Sequence, residues 1–274
     1  MREIRRAAWQ EAAAQRLNPR DVDLLLADAA GRELVWLLAH DDEALSPAEA
    51  SHFRQSFDRR LQGEPLQYIR GRAEFFSREF LIDSRVLIPR PETEHLVETV
   101  LRLAPPGIRL LDVGTGSGCV AVTAALERPD LRVVASDRSL AALAVARLNR
   151  DRSGADVDLV AASLFDGIHE RFGAIVSNPP YIPSGDLPGL QREVREHEPR
   201  EALTPGGDGL AIIRRLITES PAFLIDDGFV ALEIGFGQSA EVRSLARDRG
   251  WPRVEIIDDL AAIPRVAVLF RTPQ

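Results

Sequence analysis

Leu110-Leu111-Asp112-Val113-Gly114-Thr115-Gly116-Ser117-Gly118 is the stretch on which the fold turns. It opens as a short, mostly apolar run that reads as a buried strand, and the glycines then end that strand. The next eight residues, Cys119-Val120-Ala121-Val122-Thr123-Ala124-Ala125-Leu126, read as a helix. A glycine loop between strand and helix lets backbone N–H groups approach a ligand closely. Read alone, such a loop is weak evidence. Its spacing is G-x-G-x-G, whereas the dinucleotide fingerprint would place the third glycine at 119, which Cys119 occupies. A second strand, Leu131 to Ser136, runs into Asp137, about the right distance along the chain to meet a ribose hydroxyl pair.

Outward from that core, strands and helices alternate. The spacing predicts helix 92–103, strand 108–113, helix 118–128, strand 131–136, helix 139–150, strand 157–161 and strand 173–177. Helix 207–219, strand 228–234, helix 237–248 and strands 253–258 and 265–271 complete the series. Alternation of this kind implies an α/β domain with a mostly parallel sheet and helices on both faces. Upstream the period changes. Trp9, Ala12, Ala13, Leu17 and then Val22, Leu25, Leu26 keep helical spacing, broken at Asn18-Pro19. Ser46-Pro47-Ala48-Glu49 is a capping box with proline at the first helical position, opening a helix through Leu61. The expected organisation is a helical bundle over 1–72, a hairpin linker over 73–88 and an α/β domain over 89–274.

The most specific chemistry lies in Asn178-Pro179-Pro180-Tyr181, just past the apolar run Ala174-Ile175-Val176-Ser177. Two prolines cannot extend a ladder or enter a helix interior, so the chain leaves the sheet in a stiff, extended turn. That turn leaves the carbonyls of Asn178 and Pro179 beside an amide side chain and an aromatic ring. Such a site can accept both hydrogens of an NH2 group, which suits a planar amide or an exocyclic amine. A proline-rich turn without function is the competing reading. The glycine loop and Asp137, each at a predicted strand carboxyl end, tip the balance toward catalysis, since ligands of such sheets bind there.

Together the two motifs resemble a class I S-adenosylmethionine-dependent methyltransferase acting on amino or amide nitrogen. Three further stretches narrow the resemblance: Gly63-Glu64-Pro65-Leu66-Gln67-Tyr68-Ile69-Arg70-Gly71, Val86-Leu87-Ile88-Pro89-Arg90-Pro91-Glu92-Thr93-Glu94 and Glu198-Pro199-Arg200-Glu201-Ala202-Leu203. With Gly206-Gly207-Asp208-Gly209-Leu210 and Leu232-Glu233-Ile234-Gly235, they are similar to the HemK/PrmC family over residues 63–274, in collinear order. Residues 1–62 match only as a helical segment of suitable length.

The resemblance implies a Rossmann-like methyltransferase domain that transfers a methyl group from S-adenosyl-L-methionine to the glutamine side chain in the Gly-Gly-Gln motif of peptide chain release factors. It implies Asn178, Pro179, Pro180 and Tyr181 as catalytic residues, and Gly114, Thr115, Gly116, Ser117, Gly118, Asp137, Leu164 and Asn178 around the cofactor. Pro89, Arg90, Glu92 and Thr93 would line the substrate, and the helical segment would dock the release factor. A related family methylates a ribosomal-protein glutamine; Glu92-Thr93-Glu94 favours release factors over that substrate. One departure stands out. After the third strand the family usually carries an acidic residue near the adenine, and here Ala162-Ser163-Leu164-Phe165 places Ser163 there.

Composition bounds the alternatives. A net charge of −8 counts against a duplex DNA substrate, whose partners usually carry a basic footprint. It therefore weighs against the runner-up, an exocyclic-amine methyltransferase of nucleic acid, and no direct nucleic-acid binding is expected. A non-catalytic adenosyl-binding module on the same fold is the alternative of another class. All 34 basic residues are arginine, which reads as coding bias. A single cysteine excludes an internal disulfide, and five scattered histidines give no metal-ligand spacing, so no metal is expected. Cys119, at a helix start, reads as a core residue rather than a reactive thiol. No apolar run approaches the ~20 residues of a spanning helix, and Arg2, Glu3, Arg5 and Arg6 do not suit a signal peptide. A cytoplasmic monomer is the expectation.

Overall fold

The computed structural model describes residues 1–273, which divide into two compact units: 1–71 with 191–197, and 72–190 with 198–273. The first unit is helical. It comprises α1 (Arg2–Ala14), α2 (Pro19–Ala29), α3 (Leu34–Ala39), α4 (Pro47–Leu61) and α5 (Leu66–Arg70). The break between α1 and α2 follows from Asn18, whose side chain caps Arg20 N, with Pro19 at the first helical position. At α4 the capping box forms in both directions between Ser46 and Glu49. Ala12, Val22, Leu25, Leu26, Leu37, Phe53 and Phe57 make its core. No strand falls within residues 4–61.

The second unit opens with the hairpin β1 (Arg72–Phe75) and β2 (Arg78–Leu81). Pairing stops at Leu81, earlier than the expected 88, and Ile82, Val86 and Ile88 are buried from unpaired chain. A 3₁₀ turn at Pro91–Thr93 leads into α6 (Glu94–Leu103), because proline suits a first turn and leaves no N–H unsatisfied. Then follow β3 (Arg109–Val113), α7 (Cys119–Glu127), β4 (Arg132–Asp137), α8 (Leu140–Ser153), β5 (Val157–Ala161) and β6 (Phe172–Ser177). Helix α9 (Arg192–His197) groups with the first unit, where its Glu193 pairs at 2.7 Å with the buried Arg60. The chain ends with α10 (Arg200–Leu203), α11 (Ala211–Glu219), β7 (Leu224–Glu233), α12 (Ser239–Asp248), β8 (Arg253–Asp258) and β9 (Pro264–Phe270). Helix α11 starts four residues later than the spacing predicts, since Gly206, Gly207 and Gly209 all take positive φ.

The sheet order is β5-β4-β3-β6-β7-β9-β8. Strands β3 to β7 run parallel, and β9 is antiparallel to both its neighbours. Period-2 alternation sends Leu110, Val133, Ala174 and Ala231 to one face, against α6 and α7. Leu111, Val134, Ile175 and Val230 face the other way, against α11 and α12. Burial on both faces is why these strands read as continuous apolar runs. The order reverses between β3 and β6. Register pairs Val113 with Ser136 and Asp112 with Val176, so Gly114, Asp137 and Asn178 leave the sheet side by side. Among the described residues no helix is long and apolar enough to cross a membrane.

Candidate active site

A cavity of about 350 Å³ opens at that reversal. The glycine loop forms one wall. Gly114 N and Thr115 N donate to Ser136 O at 2.8 and 2.9 Å, which lashes the loop to the end of β4. A Cβ built on Gly114 or Gly116 would enter open space, so these positions leave room for a ligand. Gly118 differs: a Cβ there would come within 3.2 Å of the Ala146 Cβ, and the residue is absent from the cavity wall. It lets α7 approach α8 closely.

Asp112 and Asp137 face the same cavity. Asp137 accepts from Gly116 N through Oδ2 at 3.0 Å and from Ser139 N through Oδ1 at 2.8 Å. Each oxygen keeps a second lone pair for a ligand hydroxyl. Asp112 is 1% exposed and accepts from Thr115 Oγ1 at 2.6 Å through Oδ2. Burial, reinforced by the neighbouring Asp137, pushes its carboxyl up to about 7. No arginine or histidine is paired with it among the described residues. Arg85, Arg90, Arg138 and Arg215 also line the cavity, so it is the corner at Asp112 and Asp137 that suits a cationic group.

At the end of β6, the Asn178 side chain donates through Nδ2 to Thr93 Oγ1 at 3.0 Å. Its oxygen Oδ1 is left as the acceptor. Asn178, Pro179 and Pro180 line the cavity with Pro89, Arg90 and Thr93. Glu198 fixes that second group: its carboxylate accepts from Ile88 N at 3.2 Å and from the Arg90 guanidinium. Leu164 lines the cavity beside Ser163 in a left-handed conformation, φ 55°, which is uncommon for a branched residue and marks a constrained wall.

Tyr181 and Glu92 are not on the cavity wall. The Tyr181 ring packs with the core instead, and its phenol donates to Glu233 Oε1 at 3.0 Å. Burial and the adjacent Glu233 hold that phenol above its ordinary value. The Tyr181 carbonyl accepts from Gln238 Nε2 at 2.9 Å, Ile182 N donates to Leu203 O and Ser184 N to Gly207 O. The turn is thus clamped from three sides. Burial pushes the Cys119 thiol up to about 12, which makes it inert at neutral pH.

Some residues of the site carry no signal strong enough to single them out from sequence. Asp112 stands inside the glycine motif without an evident task, and Gln238 has no motif at all. Glu198 and Glu233 are visible only as parts of matching stretches.

Two family profiles match the chain: a PrmC N-terminal domain over residues 5–71 and a methyltransferase small domain over residues 91–238. Release factor glutamine methyltransferase from Neisseria gonorrhoeae is 50% identical over 237 residues, covering 85% of this chain and 86% of that protein. The protein so named from Geobacter sulfurreducens is 42% identical over 247 residues, covering 90% and 87%. A methyltransferase crystal structure from Pyrococcus furiosus superposes with a TM-score of 0.56 at 19% identity, over 72% of this chain and 90% of that one, and so shares the fold.

Proposed function

The chain belongs to the release factor glutamine methyltransferase family, and we propose that it methylates the side-chain amide nitrogen of the Gly-Gly-Gln glutamine in peptide chain release factors. S-adenosyl-L-methionine, when bound, supplies an electrophilic methyl group on a positively charged sulfur. The residues present fit that group: open space at Gly114 and Gly116, a ribose acceptor in Asp137 and a buried carboxylate in Asp112. Leu164 and Ser163 line the cavity; Leu164 would pack on the adenine, with Ser163 as a weak acceptor.

The observation that carries the reading is the Asn178 amide, tied through its nitrogen so that its oxygen stays available as an acceptor. An amide nitrogen is a poor nucleophile because its lone pair is delocalised into the carbonyl. Asn178 Oδ1 and the Pro179 carbonyl each accept one substrate N–H, turning the nitrogen and partly pyramidalising it. Its lone pair then points at the methyl group, and orientation of this kind supplies several kcal/mol, with no strong base required. The acceptors also offset the charge that develops on nitrogen. The substrate nitrogen would gain the methyl group that the cofactor supplies, and its proton would leave to water. Residues 1–71 serve to dock the release factor, and the enzyme works as a cytoplasmic monomer without direct contact to nucleic acid.

The test is incubation with methyl-labelled cofactor and, in separate reactions, a release factor, its variant with the Gly-Gly-Gln glutamine replaced by alanine, and ribosomal RNA or duplex DNA. Label is expected in the intact release factor alone. Label on nucleic acid, or on the alanine variant, would overturn the reading.

Asp112 gives the cofactor site a pH dependence. A cationic ligand favours the ionised carboxylate, so binding opposes protonation. With the free carboxyl near 7, affinity for S-adenosylmethionine should be flat above that pH. Below it, affinity should fall by up to about tenfold per unit. Calorimetry from pH 5.5 to 8 measures this, and Asp112→Asn should flatten the profile.

A further inference from the structure

We propose that Thr93 and Glu233 form a buried positioning relay that fixes which way the Asn178 amide faces. The inference deepens the function proposed above and rests on it, because the facing of that amide decides whether it can accept from a substrate N–H.

The oxygen and NH2 of an asparagine side chain have nearly the same shape, and a half-turn exchanges them. In the wrong orientation, Nδ2 would meet the substrate NH2, donor against donor. Something must therefore hold Nδ2 away. Thr93 Oγ1 does so at 3.0 Å, from a side chain that is itself buried, 2% exposed. A hydroxyl alone is a poor selector, since it can accept from Nδ2 in one orientation or donate to Oδ1 in the other.

Glu233 removes that choice. It sits at the end of β7, fully buried, with Oε1 accepting from the Tyr181 phenol. Its other oxygen, Oε2, is buried with no partner at hydrogen-bond distance and angle. A buried carboxylate oxygen without a donor is costly, so a neighbouring hydroxyl hydrogen is drawn to it. In the proposed relay that hydrogen comes from Thr93, whose side chain interacts with Glu233 and favours the charged carboxylate. Burial and the charge of Glu92 push the Glu233 carboxyl up, while Thr93, Tyr181 and Arg265 oppose them. With its hydrogen committed to Glu233, Thr93 can only accept from Asn178. Polarity thus passes from carboxylate to hydroxyl to amide, and the cavity receives an acceptor. Thr93 acts through Asn178 and is a positioning residue.

Single-turnover rates, Michaelis constants for release factor and cofactor affinities of four variants test the relay. Thr93→Val should lower the single-turnover rate tenfold or more, with both binding constants within about twofold of wild type. Thr93→Ser, which restores the hydroxyl, should recover most of that rate. Glu233→Gln should match Thr93→Val, and the double variant should be no slower than either alone, since one relay is broken once. Wild-type rate in Thr93→Val, a change in the Michaelis constant rather than the rate, or multiplicative losses in the double variant would overturn the proposal. A readout apart from activity separates this proposal from the functional one. Side-chain NH2 exchange at Asn178, assigned by its loss in Asn178→Ala, should be slow in wild type and fast in Thr93→Val. Equal exchange in the two would sink the relay whatever the substrate, whereas slow wild-type exchange in a protein that leaves release factors unlabelled would sink only the functional reading.

Discussion

Asn178→Ala should lower the single-turnover rate at saturating release factor by about 10²–10³, the loss expected when one preorganised transition-state contact is deleted. Cofactor affinity should stay nearly intact, because the glycine loop, Asp112 and Asp137 form their own wall of the cavity. Release factor should still bind if, as proposed, residues 1–71 dock it. The deletion removes one side-chain hydrogen bond within the protein, Nδ2 to Thr93, so the fold should survive. Asn178→Asp separates the two roles of the side chain. It keeps an acceptor for the substrate but has no N–H to give Thr93, and it adds charge next to the site. Partial activity at best is expected. Near-normal turnover in Asn178→Ala would show that the side chain is structural, and the orientation mechanism would be wrong.

The sheet was legible because burial on both faces makes each parallel strand a short apolar run, and the glycines mark where β3 ends. Strand ends at Val113, Asp137 and Ser177 agree with the expected ones to within a residue. Between β6 and β7 the reading fails. Residues 184–203 hold a 3₁₀ turn and two short helices, too brief and too interrupted by Pro188 and Pro199 to show a helical period. Within the site, what lies together in the chain could be read: the glycine loop, Asn178 and its prolines. What the sheet order brings together could not. Thr93 and Asn178 are 85 residues apart, Tyr181 and Glu233 are 52 apart, and no local pattern announces either pair. Tyr181 shows the consequence. Its neighbours suggest a ring for the substrate to pack on, yet a buried carboxylate from a distant strand draws the phenol inward.

Gly209→Ala should lower turnover on the order of 10²-fold by crowding and straining the backbone of the turn after β6. A Cβ built at Gly209 would lie 2.2 Å from the Tyr181 carbonyl oxygen and 3.0 Å from Pro183 N. The colliding atoms are backbone, so no rotamer change relieves the clash. The residue also sits at φ +81°, a conformation that costs an L-residue roughly 1–2 kcal/mol. Neither partner can yield cheaply: Gln238 Nε2 holds the Tyr181 carbonyl, Leu203 O holds Ile182 N and Gly207 O holds Ser184 N. Overpacking of this kind costs about 1–3 kcal/mol on top of the strain. At about 2–4 °C per kcal/mol for a protein of this size, the thermal midpoint should drop by several degrees. The displacement falls on the chain that carries Asn178 and Pro179, where a shift of about 1 Å costs on the order of 10² in rate. Gly185→Ala is the control, since a Cβ there meets nothing within 4 Å and its φ is not in the left-handed region. Circular dichroism melts and single-turnover assays of both variants check the point. A Gly209→Ala protein that melts and turns over like Gly185→Ala would show that the turn after β6 is free to move, and a mechanism built on its fixed carbonyls could not stand.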